Sequence, residues 1–170
     1  ILGDYTEVRL AFHPLLAERL RLESKKAVPL DYAFNKEQKL VVISGPNAGG
    51  KSVALKTVGL IHFMLQNGFL VPCATDSKFQ LFEKIFVDIG DNQSIESDLS
   101  TDSSHLKAAK HIINFSDDGT LVLMDEIGTG TDPMFGGPMA EAVLEQIQKN
   151  TMLIMKIFTL IMNLTAICYI

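Results

Sequence analysis

The chain has 170 residues, 47% hydrophobic and 21% charged, which is ordinary for one globular domain with a core of its own. Its formal net charge of −5 and its pI near 5.3 exclude a broad basic face of the kind that binds duplex nucleic acid. Cys73 and Cys168 lack the spacing of a zinc site or a disulfide framework, so a reducing, cytoplasmic setting is expected.

Residues 1–38 are predicted to lead into the main domain. No basic segment followed by an apolar run occurs at the start, so no signal peptide is expected. The pattern from Leu10 to Leu22 predicts a short helix that is broken near Pro14. The main domain is expected to span residues 39–150, with residues 151–170 as an atypical apolar tail.

A strand, a glycine-rich loop and a helix open the main domain. Leu40 to Ile43 is typical of a buried parallel strand, and apolar residues at helical spacing run from Val53 to Leu65, with Gly68 as the predicted C-cap. Between them lies an octapeptide that fits the phosphate-binding pattern G-x-x-x-x-G-K-[ST]: Gly45, Pro46, Asn47, Ala48, Gly49, Gly50, Lys51 and Ser52. Loop amides and the helix dipole form an anion site in such a unit.

The residue types at the end of the octapeptide suit a nucleoside triphosphate. Lys51 is expected to reach the β- and γ-phosphates and to assist catalysis, and the Ser52 hydroxyl is expected to hold Mg²⁺. Val53, in the first turn of the helix, belongs to the same nucleotide-binding set. A glycine turn that precedes a lysine by chance is the alternative, but the flanking strand and helix argue against it.

Three more elements are predicted before the next polar motif. Phe69 to Ala74 is predicted to be a strand, and Pro72 places it at a sheet edge or a strand end. Leu81 to Ile89 is a further strand candidate, and a polar stretch then leads into a helix from about Ser100 to Phe115.

An apolar run from Leu121 to Met124 ends in two acids, Asp125 and Glu126. This pattern is typical of a buried strand that delivers carboxylates at its C-terminal end, where open α/β sheets bind ligands. Asp125 is expected to order Mg²⁺ through its water shell, and Glu126 to position or deprotonate the attacking water. A solvated strand end is the usual explanation for such a pair alone; the phosphate loop favours the catalytic interpretation.

The last predicted helix, Met139 to Gln148, precedes the apolar tail. Three interpretations of residues 151–170 stay open. A transmembrane helix needs about 20 apolar residues, but Lys156 and Asn163 argue against one. Part of the run suits a pair of buried strands. The third interpretation, which the abrupt change in composition favours, is a frameshifted or truncated C-terminus that leaves the domain incomplete or altered.

Four blocks together resemble the ATPase domain of the MutS family of DNA mismatch-repair proteins, and most closely its second bacterial paralogue. They are Gly45 to Leu60, Asp88 to Ile95, Leu99 to Thr101 with Ser104 and His105, and Met124 to Pro133. The Asp-Ile-Gly-Asp-x-Gln-Ser-Ile block separates this branch from the mismatch-recognising one. The resemblance covers residues 8–150 and implies an α/β P-loop NTPase fold of the ABC ATPase type.

The resemblance also implies further roles. Asn47 would approach the γ-phosphate, and Asp88 to Gln93 would sense the nucleotide. Ser100 and Thr101 would open a helix toward the ATP of a second subunit, although an ordinary helix cap is the alternative for them. Gly128 to Asp132 would communicate across the dimer. The implied assembly is a head-to-tail ATP sandwich of two copies with composite sites.

The function implied by the resemblance is Mg²⁺-dependent ATP hydrolysis in a protein of mismatch repair or recombination suppression. DNA would be bound mainly through domains outside this chain, the ribosome would be a further partner, and no membrane is expected. A nucleotide-binding remnant without hydrolysis is an alternative. An ABC transporter subunit is another, although its Leu-Ser-Gly-Gly-Gln signature contrasts with Leu99-Ser-Thr-Asp-Ser here.

Three departures from the family pattern bear on these roles. Asp102 stands where an apolar or aromatic residue is usual, and Phe135 replaces an expected glutamate. After Asn150 the family expects a strand ending in Thr-Thr-His-Tyr, whose histidine contacts the γ-phosphate. This chain has no histidine after His111, so that role has no carrier.

Overall fold

The computed structural model describes residues 2–35, 40–44, 49–90, 101–125, 133–150 and 153–158. Its strands are β1 (Thr6–Ala11), β2 (Leu30–Phe34), β3 (Leu40–Ser44), β4 (Lys84–Asp88), β5 (Thr120–Met124) and β6 (Leu153–Phe158). Its helices are α1 (Pro14–Leu22), α2 (Lys51–Gln66), α3 (Thr101–Phe115) and α4 (Pro133–Asn150). The protein therefore has a mixed α/β fold.

Two sheets organise these elements. Strands β1 and β2 form an antiparallel pair, whereas β3, β6, β5 and β4 form a four-stranded sheet in that order, with every pair parallel. Parallel neighbours require long crossover connections, and α2, α3 and α4 lie on these connections. All four strands consequently end at the same edge of the sheet, which we call the carboxyl edge.

Strand β6 comes from the apolar tail. It pairs with β3 on one side and with β5 on the other, so the sheet runs past residue 150. The described part of the tail thus forms one strand, Leu153–Phe158, where a pair of buried strands was one of the expectations. A run of Ile, Leu, Met and Phe suits a strand with a neighbour on each side in a parallel sheet. Among the described helices, none is both long enough and apolar enough to cross a membrane.

Helix α2 packs closely on one face of this sheet. Its Leu55 and Val58 form a buried cluster with Leu121 and Leu123 of β5, joined by Phe34 and Phe82. A Cβ atom added to Gly59 would lie 2.6 Å from Cδ1 of Leu123, closer than real contacts allow. The absence of a side chain at this position therefore sets how near α2 can come to β5.

Helices α3 and α4 cover the opposite face. Val122 and Met124 of β5 point to this side, where they pack with Ala109 and Ile112 of α3 and with apolar residues of α4. All five residues of β5 are buried. The strand is thus buried on both faces, as its continuous apolar sequence predicts.

The structure corrects the predicted start of the chain. The helix predicted from Leu10 begins only at Pro14, because β1 extends to Ala11. Proline suits the first turn of a helix, where its missing N–H is no loss. His13 caps α1, its Nδ1 accepting a hydrogen bond from the Leu16 N–H at 3.3 Å.

The predicted strand at Phe69–Ala74 is also wrong, since the described backbone there is irregular. Its polar groups bond outside any ladder: the Pro72 carbonyl accepts from the Phe12 N–H at 2.9 Å, and the Ala74 N–H donates to the Arg9 carbonyl at 2.8 Å. The strand at residues 84–88 is shorter than predicted, and α4 begins at Pro133, ahead of Met139. Helix α3 agrees with prediction to one residue.

A buried aromatic cluster joins α2 to the β1–β2 pair. His62 of α2 is fully buried, with its ring centroid 5.6 Å from Phe79, 5.3 Å from Phe82 and 5.9 Å from Phe34. Neither of its ring nitrogens has a hydrogen-bond partner within the described part of the chain. Burial lowers the pKa of His62 to about 4, because a charged imidazolium would be poorly solvated there.

Gly59→Ala is expected to destabilise the chain, because the new methyl group would press on fully buried Leu123. Overpacking costs about 1–3 kcal/mol, which exceeds the gain of up to about 1 kcal/mol in helix propensity. Leu123→Ala removes the obstructing atom. Urea unfolding of the single and double variants should therefore give a coupling energy of about 1–2 kcal/mol in favour of the double variant. Additive effects would show that α2 and β5 do not approach this closely.

His62 is expected to make the chain acid-sensitive. Its pKa in the folded state, about 4, lies below the ordinary value of 6.5, so the unfolded chain binds the proton first as pH falls. Stability from the neutral imidazole is complete above pH 6.5 and is lost as pH falls toward 4, by about 3 kcal/mol in all. Unfolding free energies measured across this range should fall less steeply in His62→Phe. Equal slopes in the two proteins would contradict the prediction.

Candidate functional site

Helix α2 begins on a residue that only glycine accommodates easily. Gly50, at its N-cap, has a φ of 81°, in the left-handed region. An added Cβ would meet nothing within 4 Å, so the backbone conformation rather than crowding favours glycine. The Gly50 carbonyl accepts the Ala54 N–H at 2.8 Å, which starts the helix. The N-cap residue, being glycine, has no side chain that could cap the helix N–H groups.

The residues that follow Gly50 differ in exposure. Lys51 is only 7% exposed although it opens the helix, Ser52 is half-buried, and Val53 faces solvent. So low an exposure is unusual for a lysine, whose charge is normally solvated. The nearby Gly49 is described and exposed, whereas Gly45, Pro46, Asn47 and Ala48 lie outside the described residues, so their roles stay predictions.

The predicted metal carboxylate lies at the end of the buried strand. Asp125 follows β5 directly and is 5% exposed. Its N–H donates to the carbonyl of Asp88, the last residue of β4, at 2.9 Å. Glu126 lies outside the described residues, so its role with water remains a prediction.

The topology brings the two halves of the predicted site to one edge. Strand β3 leads into the octapeptide and β5 leads into Asp125, and only β6 separates them in the sheet. Two strand spacings amount to about 10 Å. The packing of α2 on β5 then holds the helix start over the same edge.

The donor set at this edge suits Mg²⁺ better than a metal held by protein alone. Within the described residues, no group of three or more His, Cys, Asp or Glu side chains could hold a metal ion. Mg²⁺ is usually bound by one or two protein oxygens together with water and substrate phosphates. The predicted ligands, one hydroxyl from Ser52 and one carboxylate from Asp125, would meet that description.

The start of α3 carries a contact that the sequence did not reveal. Nδ1 of His105 lies 3.0 and 3.1 Å from the two carboxylate oxygens of Asp88. Both residues fall within the family blocks, which is the only sequence signal that links them. Thr101 is the first residue of α3, and Ser100 lies outside the described residues, so the proposed contact with a second subunit's ATP remains a prediction.

The comparisons with known proteins all point to one family. The family model described as MutS domain V matches residues 41–168, which includes β6 and extends beyond residue 150, where the sequence resemblance was expected to end. The chain is 45% identical over 146 residues to Endonuclease MutS2 of Shouchella clausii, covering 86% of this chain and 18% of that protein. It is 46% identical over 148 residues to Endonuclease MutS2 of Aquifex aeolicus, covering 87% of this chain and 19% of that protein.

A third relative, Endonuclease MutS2 of Carboxydothermus hydrogenoformans, is 47% identical over 138 residues, which cover 81% of this chain and 17% of that protein. The chain therefore spans less than a fifth of the length of these relatives. Since the family model covers most of the chain and the identities are high, the chain belongs to the MutS family, in its MutS2 branch.

Proposed function

We propose that this chain is the P-loop ATPase domain of a MutS-like DNA-binding protein, which binds ATP with Mg²⁺ and hydrolyses it to ADP and phosphate. The observation that carries the proposal is the meeting of two features at one sheet edge. These are a helix that opens on Gly50 and the buried Lys51, and the buried carboxylate of Asp125 at the end of β5.

The phosphates would be held by the start of α2. Amides of the octapeptide and of the first helical turn donate to phosphate oxygens, and the helix dipole adds positive character. Lys51 adds a full charge toward the β- and γ-phosphates. Its low exposure supports this role, since little water would screen the interaction.

Metal binding and water activation would fall to three other side chains. The Ser52 hydroxyl and the Asp125 carboxylate are the proposed holders of Mg²⁺, which would neutralise charge on the phosphates. Glu126, next along the chain from Asp125, would orient the attacking water or accept its proton. The burial of Asp125 supports this division, because it keeps one acid fixed at the strand end.

Two copies would complete the sites in a head-to-tail dimer. Helix α3 follows β4 in the chain, so its N-terminus starts from the carboxyl edge, where Ser100 and Thr101 could approach the ATP of a second copy. The relatives are named endonucleases and are far longer than this chain. We therefore assign DNA contact, nuclease activity and any ribosome contact to other parts of a longer protein in the cytoplasm.

A second candidate function is nucleotide binding without hydrolysis. Strand β6 lies between β3 and β5, so its C-terminal end lies between the end of β3 and Asp125 at the carboxyl edge. The family expects a histidine at that strand end, yet no histidine follows His111 in the sequence. This observation favours a chain that retains the phosphate site and lacks one contact to the γ-phosphate. An ABC transporter subunit is disfavoured by the match to MutS domain V.

Mg-ATP is expected to stabilise the chain through Lys51. Ligand at 100 times its Kd adds about 2.7 kcal/mol, which for a chain of this size raises the Tm by about 5–10 °C. Lys51→Ala should lose most of that shift, whereas Lys110→Ala, which alters an exposed lysine of α3, should keep it. Thermal melts with and without Mg-ATP measure the effect. An equal shift in Lys51→Ala would contradict the phosphate assignment.

Glu126→Gln should separate hydrolysis from binding. Losing a group that positions or deprotonates water lowers turnover by about 100-fold or more, while nucleotide affinity should change little. Phosphate release and ATP affinity are measured for the wild type, for Glu126→Gln and for Glu141→Gln, an exposed acid on α4 that serves as control. A wild type that binds ATP but releases no phosphate would support the second candidate. Unchanged phosphate release in Glu126→Gln would refute the role of Glu126.

A further inference from the structure

The side chains of Asp88, at the end of β4, and His105, near the start of α3, are in contact. Nδ1 of His105 lies within hydrogen-bond distance of both carboxylate oxygens, at 3.0 and 3.1 Å. A carboxylate offers hydrogen-bond acceptors, so the N–H of a His105 ring protonated at Nδ1 would donate to Asp88. The side chains of His105 and Asp88 are 21% and 14% exposed, so solvent weakens this contact less than it weakens a surface ion pair.

Asp88 also holds the backbone of the proposed metal ligand. Its carbonyl accepts the N–H of Asp125 at 2.9 Å. The register of β4 and β5 ends with Asp88 opposite Met124, so this bond continues the ladder for one residue past the end of β5. Asp88 is therefore bound through its side chain to α3 and through its main chain to Asp125.

The remainder of α3 has a separate, apolar attachment to the sheet. Ala109 and Ile112 belong to the cluster around Val122 and Met124. The ring of His111 meets that of Phe86 of β4 edge-on, with the ring centroids 5.7 Å apart. His105 lies toward the N-terminus from all of these contacts. Its contact instead links the start of α3 to Asp88 at the end of β4, and Asp88 is hydrogen-bonded to Asp125 just past the end of β5.

We propose that His105 is a positioning residue for Asp125. By holding the Asp88 carboxylate, His105 keeps the Asp88 carbonyl in place for the Asp125 N–H, and so keeps the Asp125 carboxylate aimed at a magnesium ion. The inference rests on the proposed function, since it deepens the metal site of the same ATPase. Groups hydrogen-bonded directly to a metal ligand commonly change metal affinity by about 10- to 100-fold when they are removed. His105 acts through Asp88, so the lower end of that range is expected.

The experiment measures how much Mg²⁺ strengthens the binding of a fluorescent ATP analogue to the 170-residue chain. Affinity is determined in Mg²⁺ and in EDTA, and the ratio of the two Kd values is the readout. His105→Leu removes the donor and should lower the ratio by about 10-fold, while Kd in EDTA stays within about 2-fold. His105→Asn keeps an N–H donor near the Nδ1 position and should restore most of the ratio. Asp125→Asn gives the ratio expected when the ligand itself is weakened.

The outcomes distinguish a failure of the role proposed for His105 from a failure of the proposed function. An unchanged ratio in His105→Leu, with a normal ratio in the wild type and a reduced one in Asp125→Asn, would overturn the role of His105 alone. Loss of binding in EDTA together with the Mg²⁺ effect would reveal a general structural role and would also overturn it. A wild type that binds no nucleotide in either condition would overturn the proposed function itself.

A second variant covers the case in which His105→Leu does not fold cooperatively in a thermal melt. Asp88→Asn keeps the size of the side chain and the carbonyl that accepts from Asp125, but it removes the charge that His105 faces. It should lower the Mg²⁺ ratio by about 3-fold or more, because hydrogen bonds to a charged acceptor are roughly twice as strong as neutral ones. An unchanged ratio in this variant would overturn the proposal.

Discussion

The close approach of α2 to β5 at Gly59 is the constraint on which the site depends. The start of α2 carries Lys51 and Ser52, and β5 carries Asp125 just past its end. A side chain at position 59 would meet Cδ1 of Leu123, so either that buried leucine or the helix would have to shift. A shift of the helix would move the start of α2 relative to Asp125. A contact in the apolar core thus sets a distance that the chemistry at the sheet edge requires.

The parallel sheet also determines where the partial positive charge of the helix N-termini is concentrated. Helices α2, α3 and α4 each follow a strand of the sheet, so their N-termini start from the carboxyl edge and bring partial positive charge there. The buried charges of Lys51 and Asp125 lie at that edge as well. A chain with a net charge of −5 can therefore still offer a local site for a polyphosphate and a cation.

How well the sequence predicted each element depended on how local its signal is. Strand β5 and helix α2 were predictable because a continuous apolar run and a helical repeat reflect burial directly. Strand β1 was not, because its register is irregular between Val8 and Ala11 and Leu10 has a φ of 51°, which breaks the alternation of buried and exposed residues. The segment around Leu70, which is 95% exposed, has the composition of a strand, but its hydrogen bonds to Phe12 and Arg9 do not form a regular ladder. The contact of Asp88 with His105 could not be predicted from the sequence, because it forms only in the tertiary fold.

At strand β6, the sheet and the proposed hydrolysis make different demands on the sequence. The sheet needs an apolar, extended segment between β3 and β5, and Leu153–Phe158 supplies one. Hydrogen bonding along a strand depends on the backbone, so many sequences can fill that place. A contact to the γ-phosphate from the strand end needs one particular side chain, and the expected histidine is absent from the sequence. The start of α2 and the carboxylate of Asp125 belong to other elements. Under the proposed function, nucleotide binding would therefore not depend on that side chain, whereas hydrolysis would need it wherever it holds the γ-phosphate.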